Sequence, residues 1–186
     1  MGKHFTEIDA SLQQFIHAQH MFFVATAPLV DTGHINVSPK GLDTLRVLDA
    51  RTLAYLDYVG SGVETIAHLR ENGRIVIMLC AFQGPPRIVR FHGRGVVFEP
   101  RDPEFAALRP QFPAEPPARA IVQISVDRIA DSCGYGVPLL SFERDRRQLP
   151  EWVARKGDEG LREYQVRKNR LSIDGLPALR GPESPE

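Results

Sequence analysis

HINVSPKGLDTLRVLDARTLAYLDYVGSGVETIAHLRENG, residues 34–73, holds the pattern that decides the fold. Residues 34–38 and 52–58 read as strands. In the second of these Leu53, Tyr55 and Asp57 alternate with Ala54, Leu56 and Tyr58, a period of two with apolar side chains on both faces. The strand delivers Gly60-Ser61-Gly62, and a helix over residues 62–72 follows, with Asn72-Gly73 as its left-handed stop. Ser61 and Glu64 stand at the spacing of a capping box, which needs no ligand. A helix start also leaves backbone N–H groups unpaired and carries partial positive charge, so the same turn suits a phosphate. Lys40 is the cation such a site would use if the two strands pair. Both roles for the turn stay open on local pattern.

Upstream, Ile8, Leu12, Phe15 and Ile16 recur at helical intervals within residues 6–20, with Thr6 as the expected cap, and residues 21–27 form a strand that pairs as a hairpin with residues 34–38. Downstream, residues 75–82 are a buried strand and residues 87–98 its long return. Gly93 and Gly95 share one side of that return, as a bulge or barrel bend requires and as a flat ligand would also need. Residues 99–117 are a proline-rich connector with a helical stretch at 103–108. A strand over 120–126 buries Val122, Ile124 and Val126, a glycine-punctuated loop covers 131–138, and a short strand covers 139–142. Beyond it a helix begins near Pro150 and ends at Gly157, a second is capped by Asp158, and residues 172–177 dock in extended form before the chain frays after Arg180. The division is a barrel domain over 1–142 and a charged helical and extended tail over 143–186 that docks on it. The pattern argues against a dinucleotide-binding βαβ unit, because the third glycine of G-x-G-x-x-G would fall at Thr65 and the later strands are joined by tight turns. The strand-rich order with a single clear interstrand helix predicts a mainly β (α+β) fold, a small antiparallel barrel with a few peripheral helices.

The 186 residues suit one full core, and 23 basic residues balance 23 acidic ones, so composition calls for no nucleic-acid partner. Two cysteines make no disulfide framework: Cys80 reads as a buried hydrophobe and Cys133 as an exposed loop residue. His17 and His20 are three apart on a helix but lack a third ligand at suitable spacing, so no metal is expected. The first residues have no apolar signal core, and the longest apolar run, residues 75–82, is too short for a bilayer, so the expectation is a cytoplasmic protein without a membrane partner.

Residues 34–41, 55–61, the helix to Gly73 and the 75–98 hairpin together resemble the flavin-binding core of the pyridoxamine 5'-phosphate oxidase-like family, in a branch without a defined activity. The resemblance implies a split β-barrel homodimer with FMN in clefts between subunits. It further implies a cofactor-binding set of Val37, Ser38, Pro39, Lys40, Tyr58, Ser61, Gly62 and Thr65, with Lys40 and Ser61 on the phosphate and Ser38-Pro39 beside the isoalloxazine ring. Ile35 stands where the oxidases themselves carry an arginine, and Gly62-Val63 where they carry arginine-lysine. Phosphate affinity would then rest on Lys40, Ser61 and backbone N–H groups, with Arg87 or Arg90 as further cations. The implied activity is an FMN-dependent oxidoreductase acting on an unidentified small molecule, and the alternative is a flavin- or haem-binding storage or sensor module. The family's C-terminal arginine-and-histidine substrate motif is not recognisable, which separates the chain from vitamin B6 oxidation.

Overall fold

In the computed structural model, residues 2–181 are described. Strand β1 (His4–Phe5) precedes helix α1 (Ala10–His17), and strands β2 (Phe22–Thr26), β3 (Asn36–Lys40), β4 (Leu45–Asp49) and β5 (Thr52–Tyr58) lead to helix α2 (Glu64–Asn72). Strands β6 (Arg74–Cys80) and β7 (Ile88–Phe98), helix α3 (Pro103–Leu108), strand β8 (Ala118–Ser132) and helix α4 (Gln148–Lys168) complete the chain order. The sheet runs β3-β2-β6-β7-β8-β5-β4, with β1 added against β8, and every ladder is antiparallel.

The sheet rolls up on its apolar face. Phe22 of β2 and Tyr55 of β5 are not on neighbouring strands, yet their rings meet edge to face with centroids 5.7 Å apart. Leu53, Ile77, Phe91 and Ile124 fill the same interior, and α1 closes one end with Leu12 and Ile16. Each such side chain contributes roughly 1.5–3 kcal/mol by leaving water. The opposite face of β5 is also covered, since Ala54 and Leu56 pack with Phe105, Phe112 and Ile121. That explains why β5 is apolar on both faces.

The glycines of β7 serve the barrel. A Cβ on Gly93 would sit 2.1 Å from the Ser125 carbonyl oxygen, at the place where the β7–β8 register slips between His92 and Gly93. A Cβ on Gly95 would lie 2.9 Å from Leu69, so the missing side chain is what lets α2 pack on the strand. The space the two residues leave is therefore filled by β8 backbone and α2.

Several local expectations are corrected. Asp9, not Thr6, caps α1, accepting the Leu12 N–H at 2.8 Å. Strand β4 forms where the sequence pattern predicts no element; Lys40 ends β3, and β3 and β5 do not pair. Strand β8 runs to Ser132, so Asp131 and Ser132 belong to it rather than to a loop. Residues 139–142 form no strand: the Leu140 N–H donates to the Phe82 carbonyl at 2.9 Å, while Leu139 stays exposed. Helix α4 is two helical segments joined at Gly157, whose φ of 63° breaks the helix where the sequence predicts. Val153 and Leu161, one from each segment, pack on Val59 and so brace the approach to the Gly60 turn. The fraying expected after Arg180 falls mostly on residues 182–186, outside the described residues. Among the described residues no helix is long and apolar enough to cross a membrane.

Candidate functional site

Asp57 points into the barrel two residues beyond Tyr55, and its carboxylate is 1% exposed. Burial by itself would push its pKa up. Arg119 and then Lys40 outweigh that and hold it down at about 2. Lys40 Nζ donates to Oδ1 at 2.7 Å, reaching from the end of β3 across the seam where β3 and β5 share no ladder. Arg119 Nε donates to Oδ2 at 2.9 Å from the start of β8. With Asp57 holding its Nε edge, Arg119 spends its other donors on the turn: Nη1 donates to the Gly60 carbonyl at 3.0 Å and Nη2 to the Gly62 carbonyl at 2.7 Å. Lys40 and the turn are thus brought together, through two side chains that sequence reading did not single out. A lone carboxylate in an otherwise apolar strand was the signal that could have found Asp57.

The turn is also held from outside the barrel. Asn169, fully buried, donates from Nδ2 to the Gly60 carbonyl at 2.9 Å. The chain beyond it folds back on itself, with Leu179 N–H bonded to the Asn169 carbonyl and Ala178 N–H to that of Arg170. Ala178 and Leu179 pack against Val63, Ile66 and Ala67 of the α2 region. Arg70 Nε donates to the Ala178 carbonyl at 2.6 Å, and Arg180 Nε to Glu99 at 3.0 Å. At the other end of this hairpin Asp174 accepts from the His34 backbone N–H at 2.8 Å and pairs with its Nδ1 at 2.6 Å.

The capping box does not form. Helix α2 starts at Glu64 with Val63 as its cap residue and no side-chain cap bond, and Ser61 is exposed. Glu64 instead accepts the Ile173 N–H at 3.4 Å, and its carboxylate lies against Gly62, where a Cβ would be 2.8 Å from Oε2.

A second polar network joins two of the predicted residues. Asn36 Nδ2 donates to Thr65 Oγ1 at 2.9 Å and to Thr26 Oγ1 at 3.2 Å, while Ser38 Oγ donates to Asn36 Oδ1 at 3.0 Å. Thr26 is in turn 2.9 Å from Nδ1 of His68, a fully buried imidazole whose pKa burial lowers and whose Nε2 has no partner. Val37 and Pro39 project outward from the sheet edge. Tyr58 lies on the face of β5 opposite Asp57, packed in the Leu56 and Phe105 cluster, so its side chain does not join Lys40. Arg87 and Arg90 bond Asp131 and Ser132 rather than the turn.

Beside Lys40 and Pro39 a cleft of about 680 Å³ opens, walled by Met21, Phe82 and Phe142, and closed on one side by His20 stacked on Phe142 at 3.7 Å. It is large enough for a flat heteroaromatic ring system. Cys80 is buried and Cys133 exposed.

A pyridoxamine 5'-phosphate oxidase family protein of Aspergillus flavus, ustO, is 37% identical over 94% of this chain and 77% of its own length. Among solved structures, HupZ of Group A Streptococcus superposes with a TM-score of 0.52 at 22% identity, over 66% of this chain and 91% of that one. A pyridoxamine 5'-phosphate oxidase-like protein of Lactobacillus delbrueckii gives 0.51 at 20% identity, over 68% and 98%. These two share the split-barrel fold. The family profile described as pyridoxamine 5'-phosphate oxidase matches residues 8–133, which spans every barrel strand from β2 to β8, and the chain belongs to that family.

Proposed function

We propose that this chain is a cytoplasmic FMN-dependent oxidoreductase that acts on a small molecule as a homodimer. The observation that supports it is the Lys40–Asp57–Arg119 cluster. It carries one more positive than negative charge, and the Lys40 side chain remains 22% exposed at the rim of the cleft beside Pro39. A phosphate there meets a pre-oriented ammonium, and this reading assigns the exposed Ser61 hydroxyl, on the turn that Arg119 holds, as its second donor. The Glu64 carboxylate over Gly62 disfavours the helix start itself and steers the anion toward Lys40. Bound FMN would supply two-electron chemistry, for which the protein's part is to bind, orient and shield. Pro39 lines the cleft that would take the ring, and Ser38, held by Asn36, is the neighbour this reading assigns beside it.

Titrating apo-protein with FMN tests the site. Lys40→Ala is expected to lose about ten- to a hundredfold in affinity, the worth of one charge-assisted contact. It also costs about 1 kcal/mol of stability, because Asp57 keeps Arg119 but loses one of its two cations. Ser61→Ala is expected to weaken FMN while shifting unfolding by less than about 0.5 kcal/mol, since the hydroxyl caps nothing. Unchanged FMN affinity in Lys40→Ala would place the phosphate elsewhere. Bleaching of the bound flavin by NADH or NADPH identifies turnover; a flavin that neither reduces identifies a binding module.

The dimer rests on the sheet edge. Strand β3 is terminal in the sheet and exposes Val37 at 62%, with Ile35 at 76% just before it. An apolar edge of that kind is usually covered in the native assembly. Light scattering at micromolar concentration should give about twice the 20.8 kDa of one chain, and monomer by itself would overturn the intersubunit cleft.

A further inference from the structure

A separate cavity of about 910 Å³ opens where the second half of α4 and residues 170–181 pass the end of β7. Five arginines line it: Arg101, Arg119, Arg162, Arg170 and Arg180. Among the described lining side chains Glu99 and Glu163 oppose them, and just behind the lining Asp57 pairs Arg119 and Asp102 pairs Arg180, so the cations left to a ligand are Arg162 and Arg170. Glu99 is already committed, accepting from Arg70 and from Arg180 at 3.0 Å, with Arg101 at 3.7 Å. Arg119 is committed to Asp57 and the turn, yet its guanidinium has five N–H donors and three are used. Arg162 and Arg170 have no acidic partner among the described residues. Pro100, Val166 and Leu179 supply an apolar wall between the cations, and Val166 is 52% exposed there.

Like charges gathered around one cavity repel, and an anion with several oxygens relieves all of them together. The guanidinium fork matches phosphate in two-point contact. The cavity is far too large for a single phosphate and has the volume of a nucleotide-sized ligand. We propose that this cavity binds a phosphorylated organic anion of nucleotide size, with its ring on the Pro100, Val166 and Leu179 wall and its phosphates on Arg162 and Arg170. The site is additional to the flavin cleft beside Pro39 and touches that machinery only at Arg119.

The test is calorimetric titration of the full chain with ADP, with adenosine and pyrophosphate as partial probes, beside the double variant Arg162→Ala/Arg170→Ala. Both arginines are exposed, and the variant should melt as the parent does. Saturable ADP binding that falls about tenfold or more in the variant, weakens with added salt and exceeds binding of either partial probe is the expected result. No saturable ADP binding by the parent, or equal affinity in the variant, overturns the site. Pyrophosphate binding as tight as ADP removes the ring from the proposal and overturns its ligand class. FMN uptake by the same variant is read in parallel. Retained FMN uptake keeps the two sites apart, whereas joint loss of FMN and ADP would make the cavity part of the flavin site and overturn its independence.

Discussion

Asp57→Ala is expected to destabilise the protein by about 3–5 kcal/mol in urea unfolding, because it leaves a buried guanidinium without its carboxylate. The Arg119 side chain is 4% exposed and cannot turn to water without releasing the Gly60 and Gly62 carbonyls. The pH dependence has a definite sign. The folded pKa of Asp57, about 2, lies below its ordinary value of 3.8, so the folded state binds this proton less readily than the unfolded chain. The stabilisation is complete above roughly pH 5 and fades as pH falls from about 4 toward 2, to a total of about 2 kcal/mol. Asp57→Asn should flatten that acid limb. A variant as stable as the parent, or an unchanged acid limb, would mean that the cluster does not hold the turn.

Gly93→Ala is expected to cost about 2–3 kcal/mol, measured the same way, because its methyl would meet backbone. The Ser125 carbonyl oxygen would be 2.1 Å away and the Val126 Cα 3.1 Å away, so strand β8 itself would have to shift. Gly95→Ala is the matched comparison. Its nearest neighbours are the ends of the Leu69 side chain, at 2.9 and 3.0 Å, which can change rotamer, so about 1 kcal/mol is expected there. Equal effects at the two positions would remove the bulge as the reason for Gly93.

The barrel was legible because its signals are local. Two apolar faces on residues 52–58, the glycine pair of β7 and the break at Gly157 each announce themselves within a few residues, and each is found where the pattern puts it. Strand β4 was overlooked although Leu45, Val47 and Asp49 alternate with Arg46 and Leu48, because it follows a turn that contains no Pro or Asn and turns instead through Leu42 and Asp43 at positive φ. The capping pair at Ser61 and Glu64 misled for a tertiary reason: Glu64 bonds Ile173, more than a hundred residues away, which no local pattern can show. The candidate site was half legible. Lys40, Ser38 and Thr65 could be named from sequence, but what unites them is Asp57 with Arg119 and Asn36 with Thr26, pairs brought together only by the closure of the sheet.

The hairpin over residues 169–180 bears on the order in which the molecule assembles. The contact between Asn169 and Gly60 joins residues 109 apart in the chain. Asn169 lies beyond the last barrel strand, so this contact has to wait until every barrel strand has been made. During synthesis the barrel strands through Ser132 can pair while the Gly60 turn still lacks its outer partner, so the turn is finished only when the last α4 residues and the hairpin have left the ribosome. A young chain therefore acquires its barrel before it acquires a finished Gly60 turn.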